Sequence, residues 1–254
     1  MSVTIANSTQ LLPAVHACAK GSQYVIDGAN ALKNNTGGFC NVLRVSNYVL
    51  MGLEFAVGAV KPITLSIMKV TGCITVIDFF SDLIELVHYW VCAEILDDVK
   101  EGKVCNILGM ITLGFATIGG SLAWLSELGF FNLGAIAASM GSIPIFGAAV
   151  GAIATVGLAP VLCGVVALAY AFFAGDAVQS IIKATNKEQR IKASIDLVSR
   201  VADVALAILV GVTLLCPVSP AVTIPLIVTL GLVAKGLAVV SFLYKHYNKK
   251  AFES

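Results

Sequence analysis

The chain has 254 residues, of which 58% are hydrophobic and only 12% are charged, and its mean hydropathy is +0.91. Soluble domains carry roughly 25% charged residues, so this composition argues against a soluble enzyme, and against a disordered chain, which needs low hydrophobicity and high charge. The net charge of +1 provides no basic excess to hold a nucleic-acid backbone. The composition predicts an all-α, multipass helical membrane protein with an amphipathic helical N-terminal region and no nucleic-acid partner.

The first predicted unit is an N-terminal helical region over 1–103, where acidic and basic residues are mixed with apolar ones. Gly37-Gly38 is predicted to break the chain, and apolar helices are predicted over Arg44–Val60 and Ile63–Leu96. Gly102 follows the second helix and is a natural stop for it.

One stripe of the Ile63–Leu96 helix is polar at 100° per residue. Its members are Thr75, Asp78, Ser81, Asp82, Glu85, His88, Tyr89 and Cys92. We interpret the stripe as a solvated face on which Asp78, Asp82 and Glu85 are candidate partner-facing residues; an ion path is the alternative. Glu85-x-x-His88 matches half of a di-iron signature, but the second Glu-x-x-His pair is missing from the sequence, so no metal site is predicted.

The first transmembrane region is predicted over 104–175, which is almost free of charge. Spans are expected near Ile107–Leu125, Phe130–Val150 and Ala152–Ala174, because each is close to the 20 or so apolar residues that cross a bilayer. Gly147 and Gly151 form a G-x-x-x-G motif, and these are the candidate helix-packing residues, within the chain or in a homo-oligomer.

An amphipathic linker helix is predicted over 176–203. Thr185 and Glu188 fit a capping box, so the helix should start near Asn186 and continue into the membrane. Apolar residues recur at helical spacing along one face, namely Ile191, Ile195, Val198 and Ala202. We interpret this face as packing on the protein's own helices; a partner-binding or lipid-surface role is the alternative.

A second transmembrane hairpin is predicted over 204–244, with arms Val204–Cys216 and Leu226–Tyr244 and a basic tail at 245–254. Its turn is assigned to three prolines, Pro217, Pro220 and Pro225. Basic residues flank the hairpin, so the linker and the tail are expected on the same, cytoplasmic side. The charge pattern favours two or four crossings for the preceding region.

Catalytic, phosphate-binding and metal-binding motifs are missing from the sequence, so we predict neither an enzyme nor a cofactor. The seven cysteines form no C-x-x-C pair and are interpreted as small packing residues, without a disulfide framework. A transporter would be expected to carry some buried charge, and the main apolar spans are predicted to carry none.

The Ser/Thr-rich start at Met1–Gln10, the paired apolar regions with short Gly/Pro turns, and the basic tail at Lys245–Lys250 together resemble chlamydial inclusion membrane proteins. The resemblance is one of architecture. It implies type III secretion, insertion into the membrane around the bacterium, and ends exposed to the host cytosol. A looser resemblance, to peroxisomal membrane-elongation proteins, rests on amphipathic N-terminal helices followed by apolar spans.

These observations predict a membrane-anchored interaction or scaffold protein. It would sit in a lipid bilayer, in a host-derived vacuole membrane if the resemblance holds, and recruit a protein partner on the cytosolic side. The alternatives are a pore, channel or transporter, and a membrane-shaping protein.

Overall fold

A computed structural model describes residues 23–57, 86–87, 89–90, 94–127, 157–216 and 218–252. Its regular elements in this part of the chain are all helical, which confirms the predicted all-α class. Residues 23–33 form a short N-terminal helix that precedes the numbered helices. The later helices are α1 Thr36–Val57, α2 Glu94–Glu101, α3 Val104–Glu127, α4 Leu158–Lys183, α5 Lys187–Leu215 and α6 Pro220–Tyr247, and a 3₁₀ turn follows over Lys249–Ala251.

The N-terminal break falls at Asn34–Asn35 and not at Gly37-Gly38 as predicted, because α1 already begins at Thr36. The Asn35 side-chain oxygen accepts a hydrogen bond from the Gly38 N–H at 2.8 Å. First-turn N–H groups lack a partner inside the helix, so an asparagine cap stabilises this start. Both glycines are therefore accommodated in the first turn of α1.

Helix α2 ends at Glu101, and Gly102 directly follows it as the stop that the sequence predicts. Gly102 has a φ of 67°, a left-handed conformation that glycine adopts without steric cost. The Lys103 N–H bonds to the Asp98 carbonyl at 2.9 Å, and the Gly102 N–H bonds to the Val99 carbonyl at 3.2 Å. This pair of hydrogen bonds is a Schellman motif, which satisfies the last carbonyls of α2 before α3 begins.

Tyr89 is the one member of the predicted polar stripe within the described residues, and it is buried, not solvated. Its hydroxyl donates a hydrogen bond to Asp98 Oδ2 at 2.8 Å, and Asn106 Nδ2 donates to the same oxygen at 2.6 Å. Val87 and Trp90, in contrast, are exposed. The polar side chain therefore faces protein here, while apolar side chains face outward.

Helices α3 and α4 account for two of the predicted spans. Helix α3 matches the prediction at Ile107–Leu125 closely, whereas α4 begins six residues later and ends nine residues later than the predicted Ala152–Ala174. The later start follows Gly157, whose φ of 86° redirects the chain just before the helix. Phe130–Val150, with Gly147 and Gly151, lies outside the described residues.

Helix α5 runs without a break from Lys187 to Leu215, so the linker helix and the first hairpin arm are one helix. Its start agrees with the prediction, but its cap is shifted by one residue. Asn186 accepts from the Gln189 N–H at 2.8 Å, and the Gln189 side chain accepts from the Thr185 N–H at 3.0 Å. Asn186 and Gln189 therefore have the capping roles that the predicted capping box gives to Thr185 and Glu188.

Helix α6 begins at Pro220, six residues before the predicted start, so two of the three prolines assigned to the turn lie in the helix. Pro220 occupies the first helical position, where a missing N–H costs nothing. Pro225 lies near enough to the start that it removes only the hydrogen bond to the Ala221 carbonyl. The chain turns between Leu215 and Pro220.

The helices pack as antiparallel neighbours in the spatial order α3, α4, α5, α6, α1. Glycines lie at several of the contacts. A Cβ on Gly109 of α3 would lie 2.5 Å from the Phe173 ring of α4, and a Cβ on Gly231 of α6 would lie 2.4 Å from the Tyr48 ring of α1. Close helix approach through small residues is typical of helix packing in lipid.

Four of the described helices, α3 to α6, contain stretches long and apolar enough to cross a membrane. Large apolar side chains on them point outward; Phe115 is 67% exposed and Val201 is 53% exposed. A water-soluble protein does not expose apolar surface on this scale, whereas lipid tails solvate it. The chain is a multipass helical membrane protein, as the composition predicts.

We expect Gly231→Ala to weaken the packing of α1 on α6, because the Tyr48 ring blocks the new methyl group. Overpacking should lower the free energy of unfolding by about 1–3 kcal/mol. Gly236→Ala on the same helix meets no atom within 4 Å and is the matched control. Thermal unfolding of the detergent-solubilised protein measures both; an equal effect of the two variants would contradict the packing.

Candidate functional site

The candidate site lies at the middle of the α5–α6 hairpin, where two charged residues sit deep in candidate spans. Asp203 is sixteen residues from the start of α5, and Lys235 is fifteen from the start of α6. At 1.5 Å per residue these are roughly 24 and 22 Å, about half of the ~40–45 Å across a bilayer with its headgroups. Both charges therefore lie halfway along the candidate spans, which is the depth of the bilayer midplane for a helix that crosses the membrane over its whole length.

Asp203 and Lys235 form a direct ion pair. Lys235 Nζ donates to Asp203 Oδ1 at 2.5 Å, and the two side chains are 7% and 2% exposed respectively. An isolated charge at the bilayer centre costs about 2.5–3.5 kcal/mol to insert. Pairing with excellent geometry is how buried charges are tolerated, so each residue makes the other acceptable in the membrane.

Aromatic rings of α4 and a second cation complete the cluster. Lys235 Nζ lies 5.0 Å from the centre of the Tyr170 ring, and Arg200 Cζ lies 5.2 Å from the centre of the Phe173 ring. Ring faces attract cations through their quadrupoles, more strongly when water is absent. The midplane charge cluster, defined as Tyr170, Phe173, Arg200, Asp203 and Lys235, thus joins α4, α5 and α6.

One oxygen of the cluster has no hydrogen-bond partner. Asp203 Oδ2 is buried, and among the described residues no donor reaches it. Arg200 NH1 is 3.7 Å from this oxygen, within ion-pair distance but beyond a good hydrogen bond. The carboxylate therefore keeps a free acceptor position in the midplane charge cluster.

Further polar contacts follow the α5–α6 contact toward the basic end of the hairpin. Ser199 Oγ donates to the Ala234 carbonyl at 2.8 Å, and Ser241 Oγ donates to Asp196 Oδ1. At the end of the hairpin, the Asn186 amide donates to the Ala251 carbonyl at 2.7 Å. The start of α5 and the tail therefore lie at the same end of the hairpin, whereas their cytoplasmic placement stays a prediction.

The ion pair is not apparent from the sequence pattern, because Asp203 and Lys235 mark the two ends of a charge-free run. The signal that could have found it is symmetry, since the two residues lie sixteen positions on either side of Ser219. Helices of equal rise that turn near Ser219 bring such positions to the same depth. The statement that the main spans lack buried charge is therefore wrong.

The carboxylates predicted from the sequence, Asp78, Asp82 and Glu85, lie outside the described residues, as do Gly147 and Gly151. Within the described part of the chain, His, Cys, Asp and Glu form no group that could hold a metal ion. Charged residues of the described part also meet where α2 is followed by α3. There the hydrogen bond to Glu101 raises the pKa of Lys103, which lies 3.7 Å from Asp98.

Comparison with known proteins gives no relative: no family model, curated protein or solved structure matches the chain. Function must therefore be argued from the chain's own geometry.

We expect Lys235→Met to lower the free energy of unfolding by about 3–5 kcal/mol, because it leaves the Asp203 carboxylate buried opposite an apolar side chain. The double variant Asp203→Leu/Lys235→Met removes both charges and should recover most of this loss. Thermal unfolding of the detergent-solubilised variants measures both. A double variant no more stable than Lys235→Met would show that the pair does not act as a unit.

Proposed function

We propose that the chain is a membrane-embedded interaction or scaffold protein whose α4–α6 core is held together by the midplane charge cluster. The observation that carries the proposal is that Asp203 and Lys235 neutralise each other at 2.5 Å while almost fully buried. A permeation path needs charges that face water or a moving ion. Charges satisfied by each other support a structural role.

The exposed surface of the candidate spans is consistent with this role. The residues that α5 buries include small and polar ones, such as Ala193, Ser199 and Asp203, whereas Val198, Val201 and Ile208 are exposed. This arrangement places the polar groups inside and offers apolar surface to lipid or to another membrane protein. It suits an anchor that holds other segments at the membrane.

Transport is the second candidate, and Asp203 Oδ2 is the observation that favours it. A buried carboxylate oxygen without a hydrogen-bond donor is a free acceptor position inside a candidate span, and ionisable residues within spans mark ion pathways in many transporters. An ion held by this oxygen would compete with Lys235 for the carboxylate, and this competition would couple ion binding to the contact between α5 and α6. Substitution of Asp203 therefore distinguishes the transport function from the scaffold function.

A flux assay separates them. We expect full-length wild-type protein in liposomes to give no proton or cation flux above that of protein-free liposomes, because the midplane charges are paired. Lys245→Gln, an exposed change outside the spans' centre, is the control. Saturable flux in the wild type and the control that disappears in Asp203→Asn would establish transport and overturn the scaffold proposal.

The partner-binding part of the proposal rests on the sequence. Asp78, Asp82 and Glu85 share one face of the predicted helix, and the face is acidic, which disfavours anionic lipid and favours a basic protein partner. We expect Asp78→Asn/Asp82→Asn/Glu85→Gln to reduce partner recovery in a pull-down. Thermal stability should change by no more than about 0.5 kcal/mol, as for surface substitutions. Loss of stability with unchanged recovery would contradict a partner surface.

The membrane that we propose is the one around an intracellular bacterium, reached by type III secretion. Its support is the architectural resemblance to chlamydial inclusion membrane proteins, with the Ser/Thr-rich start at Met1–Gln10. Localisation of the chain with tagged termini in its native cell tests this placement, and retention in the producing cell's own membrane would contradict it.

A further inference from the structure

An open groove runs along α5 at the basic end of the hairpin, and its volume is about 450 Å³. Its lining is Lys187, Arg190, Ile191, Ser194, Ile195, Val198 and Leu237. Both cations are in the first turn of α5, and the deeper residues are apolar apart from Ser194. We refer to it as the interfacial groove.

The length and position of the interfacial groove match one bilayer leaflet. From Lys187 to Val198 it extends eleven residues, or roughly 16 Å. Helix α5 has 29 residues, or roughly 44 Å, which is close to the ~40–45 Å of a bilayer with headgroups. The end of the groove with Lys187 and Arg190 therefore lies at headgroup level, and the end with Val198 lies among the acyl chains.

The charges at the mouth are available to a ligand. Lys187 and Arg190 are exposed, and among the described residues neither forms an ion pair. Of the neighbouring charged residues, Lys192 pairs with Asp196, and Glu188 does not line the groove. Two free cations above an apolar floor are complementary to an amphiphile whose anionic head is attached to a hydrocarbon chain.

We propose that the interfacial groove binds an anionic phospholipid, with its phosphate between Lys187 and Arg190 and one acyl chain along Ile191, Ile195 and Val198. Arg190 provides a fork that matches phosphate oxygens, and Lys187 provides a point charge. The groove is distinct from the midplane charge cluster, since Val198 and Asp203 lie about 140° apart around α5. The proposal is therefore independent of the scaffold and transport functions.

The experiment titrates the purified full-length chain with phosphatidylglycerol or phosphatidylcholine and measures bound lipid by native mass spectrometry. We expect wild type to prefer phosphatidylglycerol. Lys187→Gln/Arg190→Gln should weaken that binding about 30-fold, which corresponds to ~2 kcal/mol at ~1 kcal/mol per cation. It should weaken phosphatidylcholine binding much less, because the choline cation of that lipid already offsets the phosphate charge. Val198→Trp places a larger side chain in the apolar part of the groove, at a position that is already 53% exposed, and should weaken the binding of both lipids.

The matched control is Lys245→Gln/Lys250→Gln, which removes two exposed cations from the same end of the hairpin but not from the groove. Full retention of phosphatidylglycerol binding in this control supports the site. Equal loss in both double variants would show general surface attraction and overturn it. Displacement of phosphatidylglycerol by inorganic phosphate alone would show a site for the anion and not for the lipid, as would a Val198→Trp variant that binds normally.

Discussion

The ion pair between Asp203 and Lys235 limits how α5 and α6 can pack. Lipid cannot solvate either charge, so the two helices must keep them in contact. A slip of one helical turn, about 5.4 Å, would break the 2.5 Å contact and strand both groups in hydrocarbon. The pair therefore fixes the axial position and the facing sides of the two helices, which generic apolar packing would leave free.

The other helices are connected to this pair through a continuous set of contacts. Phe173 of α4 receives Arg200 on its ring face and also fills the space over Gly109 of α3. On the other side, Gly231 lies one turn from Lys235 and accommodates Tyr48 of α1. The ion pair of α5 and α6 is thus linked by direct contacts to α4 and α3 on one side and to α1 on the other.

The sequence predicts which segments are helices better than which sides of them face inward. Charge-free runs find α3, α4 and α6 because the length requirement of a bilayer is strong, and Gly102 and Asn186 mark helix ends through local hydrogen bonds. The faces are harder. The apolar spacing predicts Val198 on the packing face of α5, but its side chain is exposed. Lipid accommodates apolar side chains as readily as the protein interior does, so apolar spacing does not identify the packing face.

The ion pair escaped the sequence argument for a related reason. By charge pattern, Asp203 belongs to the end of a linker exposed to water. Because α5 is one continuous helix from Lys187, Asp203 instead lies halfway along a candidate span. Tyr89 is a similar case. A polar stripe at helical spacing predicts a face exposed to water, but polar side chains can equally well be buried when they bond to each other, as Tyr89 does to Asp98. In a membrane protein, polar residues on one face indicate the protein side at least as often as the solvent side.

The same pair also constrains how the hairpin enters the membrane. Inserted alone, α5 would carry Asp203 and α6 would carry Lys235 to the bilayer centre, each at a cost of about 2.5–3.5 kcal/mol. Inserted together, the two charges neutralise each other, and the short turn between Leu215 and Pro220 keeps them close from the beginning. Next to the ion pair, the Ser199 hydroxyl donates a hydrogen bond to the Ala234 carbonyl and so adds a second polar contact between α5 and α6. The α5–α6 hairpin is therefore the natural unit of insertion, and α4 can add its aromatic rings once the charges are already paired.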